Sequence, residues 1–200
     1  MDLKKPNTPS YQNLYSAPQA DIIPPHLPSQ TQQFYVVSQR KFLILLFSTF
    51  SLYSLYWFWK NWSLWRDHTG EKIWPIPRAW FAIFFIHSLF NKIEDNANKL
   101  DGYQAPSLGT AATVCVIAEI GLNISARLPL GTIAYMILAI ALIVALAWSI
   151  WQAQIQVNLA ANDNQGQQNS KLTALNYLWI ALGSTIWILN IWITMEVYGF

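Results

Sequence analysis

Residues 131–151 run for 21 positions without a charged side chain, and no other feature of the chain restricts its fold as strongly. A helix needs about 20 apolar residues to cross roughly 30 Å of bilayer hydrocarbon. Inside lipid, only helices and closed barrels satisfy their own backbone. Four more apolar runs, 42–59, 73–90, 111–126 and 175–194, lie near the same length. The expected fold class is therefore all-α: a polytopic helical membrane protein with about five transmembrane helices. Composition agrees, because 11% of the residues are charged, less than half the ~25% of a typical soluble domain. A soluble enzyme and a wholly disordered chain are both excluded. The mean hydropathy of +0.24 is low only because a polar leader dilutes the rest.

The runs differ in clarity. The first has 18 uncharged residues between Lys41 and Lys60, and Trp57, Trp59, Trp62 and Trp65 crowd its far end. Indole rings favour the headgroup level, so these four are expected to be interfacial anchors, as are Trp148 and Trp151 at the end of the 131–151 run. The 73–90 run holds Pro75, Pro77 and Arg78 near its start, which leaves a clean core of 11 residues. That length suits a re-entrant helix as well as a short span. Its apolar residues surround the helix instead of forming one stripe, which favours a crossing; four spans plus one re-entrant helix is the alternative. The short Leu128-Pro129-Leu130-Gly131 turn makes the third and fourth runs an antiparallel hairpin. Residues 152–173, rich in Gln and Asn, are expected to return to water.

Residues 1–41 hold six of the ten prolines and too few bulky apolar residues to offset their ordering entropy, so a disordered tail is expected. Lys4 and Lys5 are followed by Pro6 and polar residues, which is not a signal-peptide pattern. The PxxP match in Pro24-Pro25-His26-Leu27-Pro28 reads first as an ordinary linker, although the tail as a whole is the candidate for contact with a protein partner. Phe34 to Val37 are read as a short strand or a first helical turn. Five crossings with a cytoplasmic N-terminus put seven of the 12 basic residues inside and five outside. That bias is weak by the positive-inside rule.

Ionisable groups inside a bilayer cost about 2.5–3.5 kcal/mol each, so they are where function is sought. Glu119 lies near the centre of its run, with Asn123 and Arg127 following on the same helical stripe. Read sharply, it is a proton or cation site; read plainly, it joins two helices. His87 and, in the last run, Asn190 complete the candidate intramembrane polar site. A lone intramembrane histidine cannot build a zinc centre. No nucleophile elbow, phosphate loop or His-Glu-x-x-His motif occurs, so no enzyme activity, cofactor or metal is expected. Cys115, the single cysteine, excludes an internal disulfide framework. A net charge of +2 gives no footprint for nucleic acid. The expected partners are the lipid bilayer and, through residues 1–41, another protein. The sequence leaves substrate and oligomeric state open. The expected function is a scaffold or accessory subunit, with a small transporter or channel subunit around Glu119 as the alternative.

Two stretches carry a resemblance. Leu14-Tyr15-Ser16-Ala17-Pro18-Gln19-Ala20-Asp21 is similar to an Asn-Pro-Tyr-x-x-Pro-x-Ala tail, with Asn13-Leu14 in place of Asn-Pro. Leu52-Tyr53-Ser54-Leu55-Tyr56-Trp57-Phe58-Trp59-Lys60-Asn61-Trp62 is similar to a Tyr-x-x-Tyr-Trp-x-Tyr-Lys-x-Trp signature. Both resemble small bacterial inner-membrane proteins whose helical domains have no assigned function. The resemblance implies a multi-pass inner-membrane location and carries no chemistry.

Overall fold

A computed structural model describes residues 32–125 and 127–198. The leader through residue 31, with its PxxP match and its 14–21 resemblance, lies outside the described residues. Those residues are all-helical, with seven α-helices: α1 (Gln39–Ser48), α2 (Leu52–Thr69), α3 (Pro75–Trp80), α4 (Ala82–Ala97), α5 (Gly109–Ser125), α6 (Thr132–Ala160) and α7 (Ala174–Tyr198). One helix, Ile133–Ala160, is long and apolar enough to cross a membrane, with a mean hydropathy of 2.6; 28% of that window is buried within the protein.

The sequence expectation of continuous helices over 42–59 and 73–90 is corrected. The first run breaks at residues 49–51. Thr49 Oγ1 donates to the Leu45 carbonyl at 2.7 Å and accepts from the Tyr53 amide at 3.1 Å, so one hydroxyl ends α1 and starts α2. Phe50 and Ser51 take positive φ values of 50° and 65°. A left-handed residue with a Cβ costs roughly 1–2 kcal/mol, and packing against α7 offsets it: the Phe50 and Trp187 rings stack at 3.8 Å. The second run breaks at Phe81, which separates α3 from α4. Pro75 opens α3 at a position where its missing N–H leaves no carbonyl unpaired.

Side-chain pairings fix the directions of the helices. α5 and α6 form the antiparallel hairpin that the 128–131 turn implies: Ser149 bonds the Ala111 carbonyl near one end, and Leu142 packs at Gly121 nearer the other. α4 runs antiparallel to α5, since Glu94 accepts from the Leu108 amide and His87 lies beside Thr113. α2 returns toward the start of α1, because Asn61 bonds the Tyr35 amide and the Phe34 and Trp65 rings stack at 5.5 Å. The connecting segments therefore gather at one end. There Gln32 meets Gln168, Asn169 meets Val36, and Gln156 meets Pro106. The 128–131 turn lies at the opposite end. The breaks at 49–51 and 81 fall between, near the middle of α5 and α7.

Two boundaries move as a result. Residues 34–41, expected in the disordered tail, belong to the body: Phe34 to Val37 are buried in neither a strand nor a helix, and α1 begins at Gln39. Residues 152–160, expected in water, continue α6, with Gln154, Gln156 and Asn158 inside the protein.

Candidate functional site

The polar residues singled out in the sequence do not converge. Glu119 accepts a hydrogen bond from Ser54 Oγ at 3.4 Å, just beyond the α1–α2 break. Asn123 turns back to the Glu119 carbonyl at 2.9 Å, and Arg127 to the Asn123 carbonyl at 2.9 Å, so both serve their own helix end. His87 is exposed and sits 3.3 Å from Thr113 Oγ1, well up α5 from Glu119. Asn190 lies on α7, but its side chain is outside the described residues. No group of three or more metal-ligating side chains occurs among the described residues.

The tryptophans also separate. Trp59 and Trp148 are exposed, as surface anchors require. Trp57 and Trp62 are wholly buried, which corrects their reading as interfacial anchors: a ring enclosed by protein cannot lie among headgroups. Trp62 carries the Arg78 guanidinium at 4.5 Å, and Trp65 carries the Lys92 ammonium at 4.2 Å. These cation–π contacts stitch α2 to α3 and α4. Trp65 and Trp151 are half-buried, and Trp151 packs on Phe42.

A site that sequence reasoning missed lies at the polar end. The buried, non-helical segment 34–38 is threaded through a set of amide side chains. Asn61 Oδ1 accepts from the Tyr35 amide at 3.0 Å, and Gln154 Nε2 donates to the Tyr35 carbonyl at 2.9 Å. Asn169 Nδ2 donates to the Val36 carbonyl at 2.9 Å, and Asn158 Nδ2 to the Val37 carbonyl at 3.0 Å. Trp57 Nε1 closes the set by donating to Gln154 Oε1 at 2.6 Å. A segment without sheet partners must find acceptors and donors elsewhere when buried, and these side chains supply them. Gly166 makes the approach possible: at φ +65°, any Cβ there would land on the Val37 carbonyl group. The sequence did hold a signal. Gln154 and Asn158 are four apart on one helical face, which marks a polar stripe and not a solvated loop.

Set against family models, curated proteins and solved structures, the chain matches none of them. Its functional reading rests on its own geometry.

Beside the threaded segment, the V of α1 and α2 and the start of α7 enclose a cavity of about 440 Å³. Lys41, Asn169, Thr173 and Asn176 line it near the polar end and Thr49 near the apex, with the Tyr35–Tyr53–Tyr56 ring cluster between; Leu45, Leu52, Leu55, Leu175 and Trp179 contribute apolar surface. Lys41 is 3% exposed. Its ammonium donates to Asn169 Oδ1 at 2.6 Å and to the Lys171 carbonyl at 2.8 Å. Both partners are neutral, and among the described residues no carboxylate pairs with Lys41.

Proposed function

We propose that the chain is an integral membrane protein with three crossings, α5, α6 and α7, and two re-entrant helical hairpins, α1–α2 and α3–α4. In this reading it works as a non-enzymatic scaffold or accessory subunit whose leader meets a protein partner. The observation that carries the reading is the segregation of polar and apolar surface. The segments 32–38, 70–74, 98–108 and 161–173 gather at one end, where Trp74 and Ile76 are exposed as interfacial residues would be, while Ile124, Ile133, Ile137, Leu189, Trp192 and Ile193 are exposed toward the other. An apolar surface of that extent needs a lipid or protein cover.

Charge supports the same arrangement. Lys4 and Lys5 lie outside the described residues. Of the remaining ten basic residues, seven (Arg40, Lys41, Arg66, Lys72, Lys92, Lys99 and Lys171) lie on the polar end or the helix turns next to it, Lys60 and Arg78 lie deeper in the two hairpins that enter from that end, and Arg127 lies at the other. Five crossings leave the basic residues nearly balanced; three crossings with two re-entrant hairpins collect them on one side. By the positive-inside rule, that side is cytoplasmic, and the resemblance of residues 52–62 favours a bacterial inner membrane. The transporter alternative draws support only from the Ser54–Glu119 contact, since His87 and Asn123 bond elsewhere.

The test uses single cysteines on a Cys115→Ala background. Asp67→Cys and Asp101→Cys are expected to react with an impermeant maleimide from the same, cytoplasmic face of sealed cells, and Leu128→Cys from the opposite face. Labelling of 67 and 101 from opposite faces overturns the re-entrant hairpins in favour of five crossings. A chain that stays monodisperse without detergent overturns the membrane reading itself.

A further inference from the structure

We propose that the cavity between the α1–α2 hairpin and α7 holds one anionic phospholipid, with its phosphate on the Lys41 ammonium and one acyl chain along the leucines toward the apex. This rests on the membrane reading above.

The first argument is charge. A cation withdrawn from water is normally paired, yet Lys41 has two neutral acceptors and a third N–H to spend. Arg40 and Lys171 add positive charge near the same end. No acid of the described residues answers Lys41. Nothing among the described residues supplies the balancing charge, and in this proposal it comes from an anion outside the chain.

The second argument is the pattern of the walls. Asn176 accepts from the Thr173 amide through Oδ1 at 3.0 Å, which leaves its Nδ2 donors for another acceptor. Tyr56 is partly exposed beside the stacked Tyr53 ring. Toward the hairpin apex the lining is Leu52, Leu55 and Trp179, together with Thr49 and Tyr53, whose hydroxyls already donate within the chain. Donors at one end and hydrocarbon at the other describe an amphiphile. A free phosphate leaves the apolar part unfilled, and a neutral lipid leaves Lys41 unanswered. About 440 Å³ lies within the range of ligand-sized pockets.

The third argument is depth. Lys41 sits one turn into α1, level with the connectors at the polar end, where headgroups lie in the proposed arrangement. The apex at 49–51 reaches the middle of α7, where Gly183 meets Ser48. The cavity therefore follows the direction in which a lipid of the cytoplasmic leaflet stands.

The experiment is native mass spectrometry of the detergent-solubilised, delipidated chain, titrated with phosphatidylglycerol, phosphatidylcholine or inorganic phosphate. One phosphatidylglycerol per chain is expected, held at least tenfold more tightly than phosphatidylcholine. Lys41→Gln keeps an N–H donor for Asn169 and is expected to abolish that preference, whereas Lys41→Arg keeps it. Leu52→Trp, which narrows the apolar part, is expected to weaken both lipids without affecting phosphate. Equal retention of the two lipids, or an unchanged preference in Lys41→Gln, overturns the proposal. Phosphate that displaces phosphatidylglycerol at equal concentration assigns the site to a free anion and also overturns it. A chain that needs detergent and lacks the preference loses this inference alone; one soluble without detergent loses the membrane reading too.

Discussion

Replacing Gln154 by Leu isolates the amide set that holds residues 34–38, because the volume is nearly kept while all polar function is lost. Gln154 is fully buried and takes part in three hydrogen bonds: from Trp57 Nε1, to the Tyr35 carbonyl and to Asn158 Oδ1. After the change, Asn158 Oδ1 still receives the Val37 amide at 3.4 Å. The Trp57 indole N–H and the Tyr35 carbonyl are left without a partner. Each orphaned buried group costs about 1–3 kcal/mol. The added apolar burial of Leu offsets part of this, by about 1 kcal/mol. The expected loss is about 1–5 kcal/mol, read from tryptophan emission while the chain is unfolded in mixed micelles of rising SDS content. The half-buried neighbour Gln152→Leu is the control, with an expected change within about 0.5 kcal/mol. Trp57→Phe removes one of the two orphans, so the double variant should lose roughly 1–2 kcal/mol less than the sum of the singles. A Gln154→Leu chain as stable as the parent, or strict additivity with Trp57→Phe, refutes the idea that these side chains pin the segment.

Two further outcomes follow from the apex. In Gly183→Ala the new Cβ meets the Ser48 carbonyl oxygen, backbone that cannot move aside, and the Trp187 bond to the Phe47 carbonyl at 3.1 Å is strained with it. Overpacking of this kind costs about 2 kcal/mol, equal to roughly 4–8 °C in a chain of this size, and faster proteolysis in the 161–173 connector should accompany the fall in Tm. Glu119→Gln keeps an acceptor for Ser54 Oγ, so stability should stay within about 0.5 kcal/mol and proteoliposomes should show no proton flux for it to abolish. A parent flux that disappears in Glu119→Gln establishes the transporter reading instead.

The helical class was legible because it rests on composition and on run length, which need no partner to be read. The breaks were not, because hydropathy is blind to them. Residues 48–51 look like ordinary interior positions of an apolar run until Thr49 Oγ1 bonds both sides of the chain and Phe50 finds Trp187, 137 positions later. The same blindness made anchors of Trp57 and Trp62. A tryptophan near a run's end is equally compatible with headgroups and with a buried amide, and only Gln154 and Arg78 distinguish the two. Gln154 and Asn158 in turn read as part of a solvated loop, since the backbone they serve lies more than a hundred residues away. These misreadings share one cause. A short buried segment without helix or strand partners creates a demand for hydrogen bonds at the polar end, and Asn61, Gln154, Asn158 and Asn169 meet it from three separate parts of the chain. With residues 34–38 fixed in place, α1 must start close to α2's far end, and ten helical residues then reach only to the middle of α7 before the chain reverses. The reversal of the chain in the first hairpin is thus a geometric consequence of where its entry is tied down. Loosening that tie at Gln154 should disturb the apex as well as the polar end.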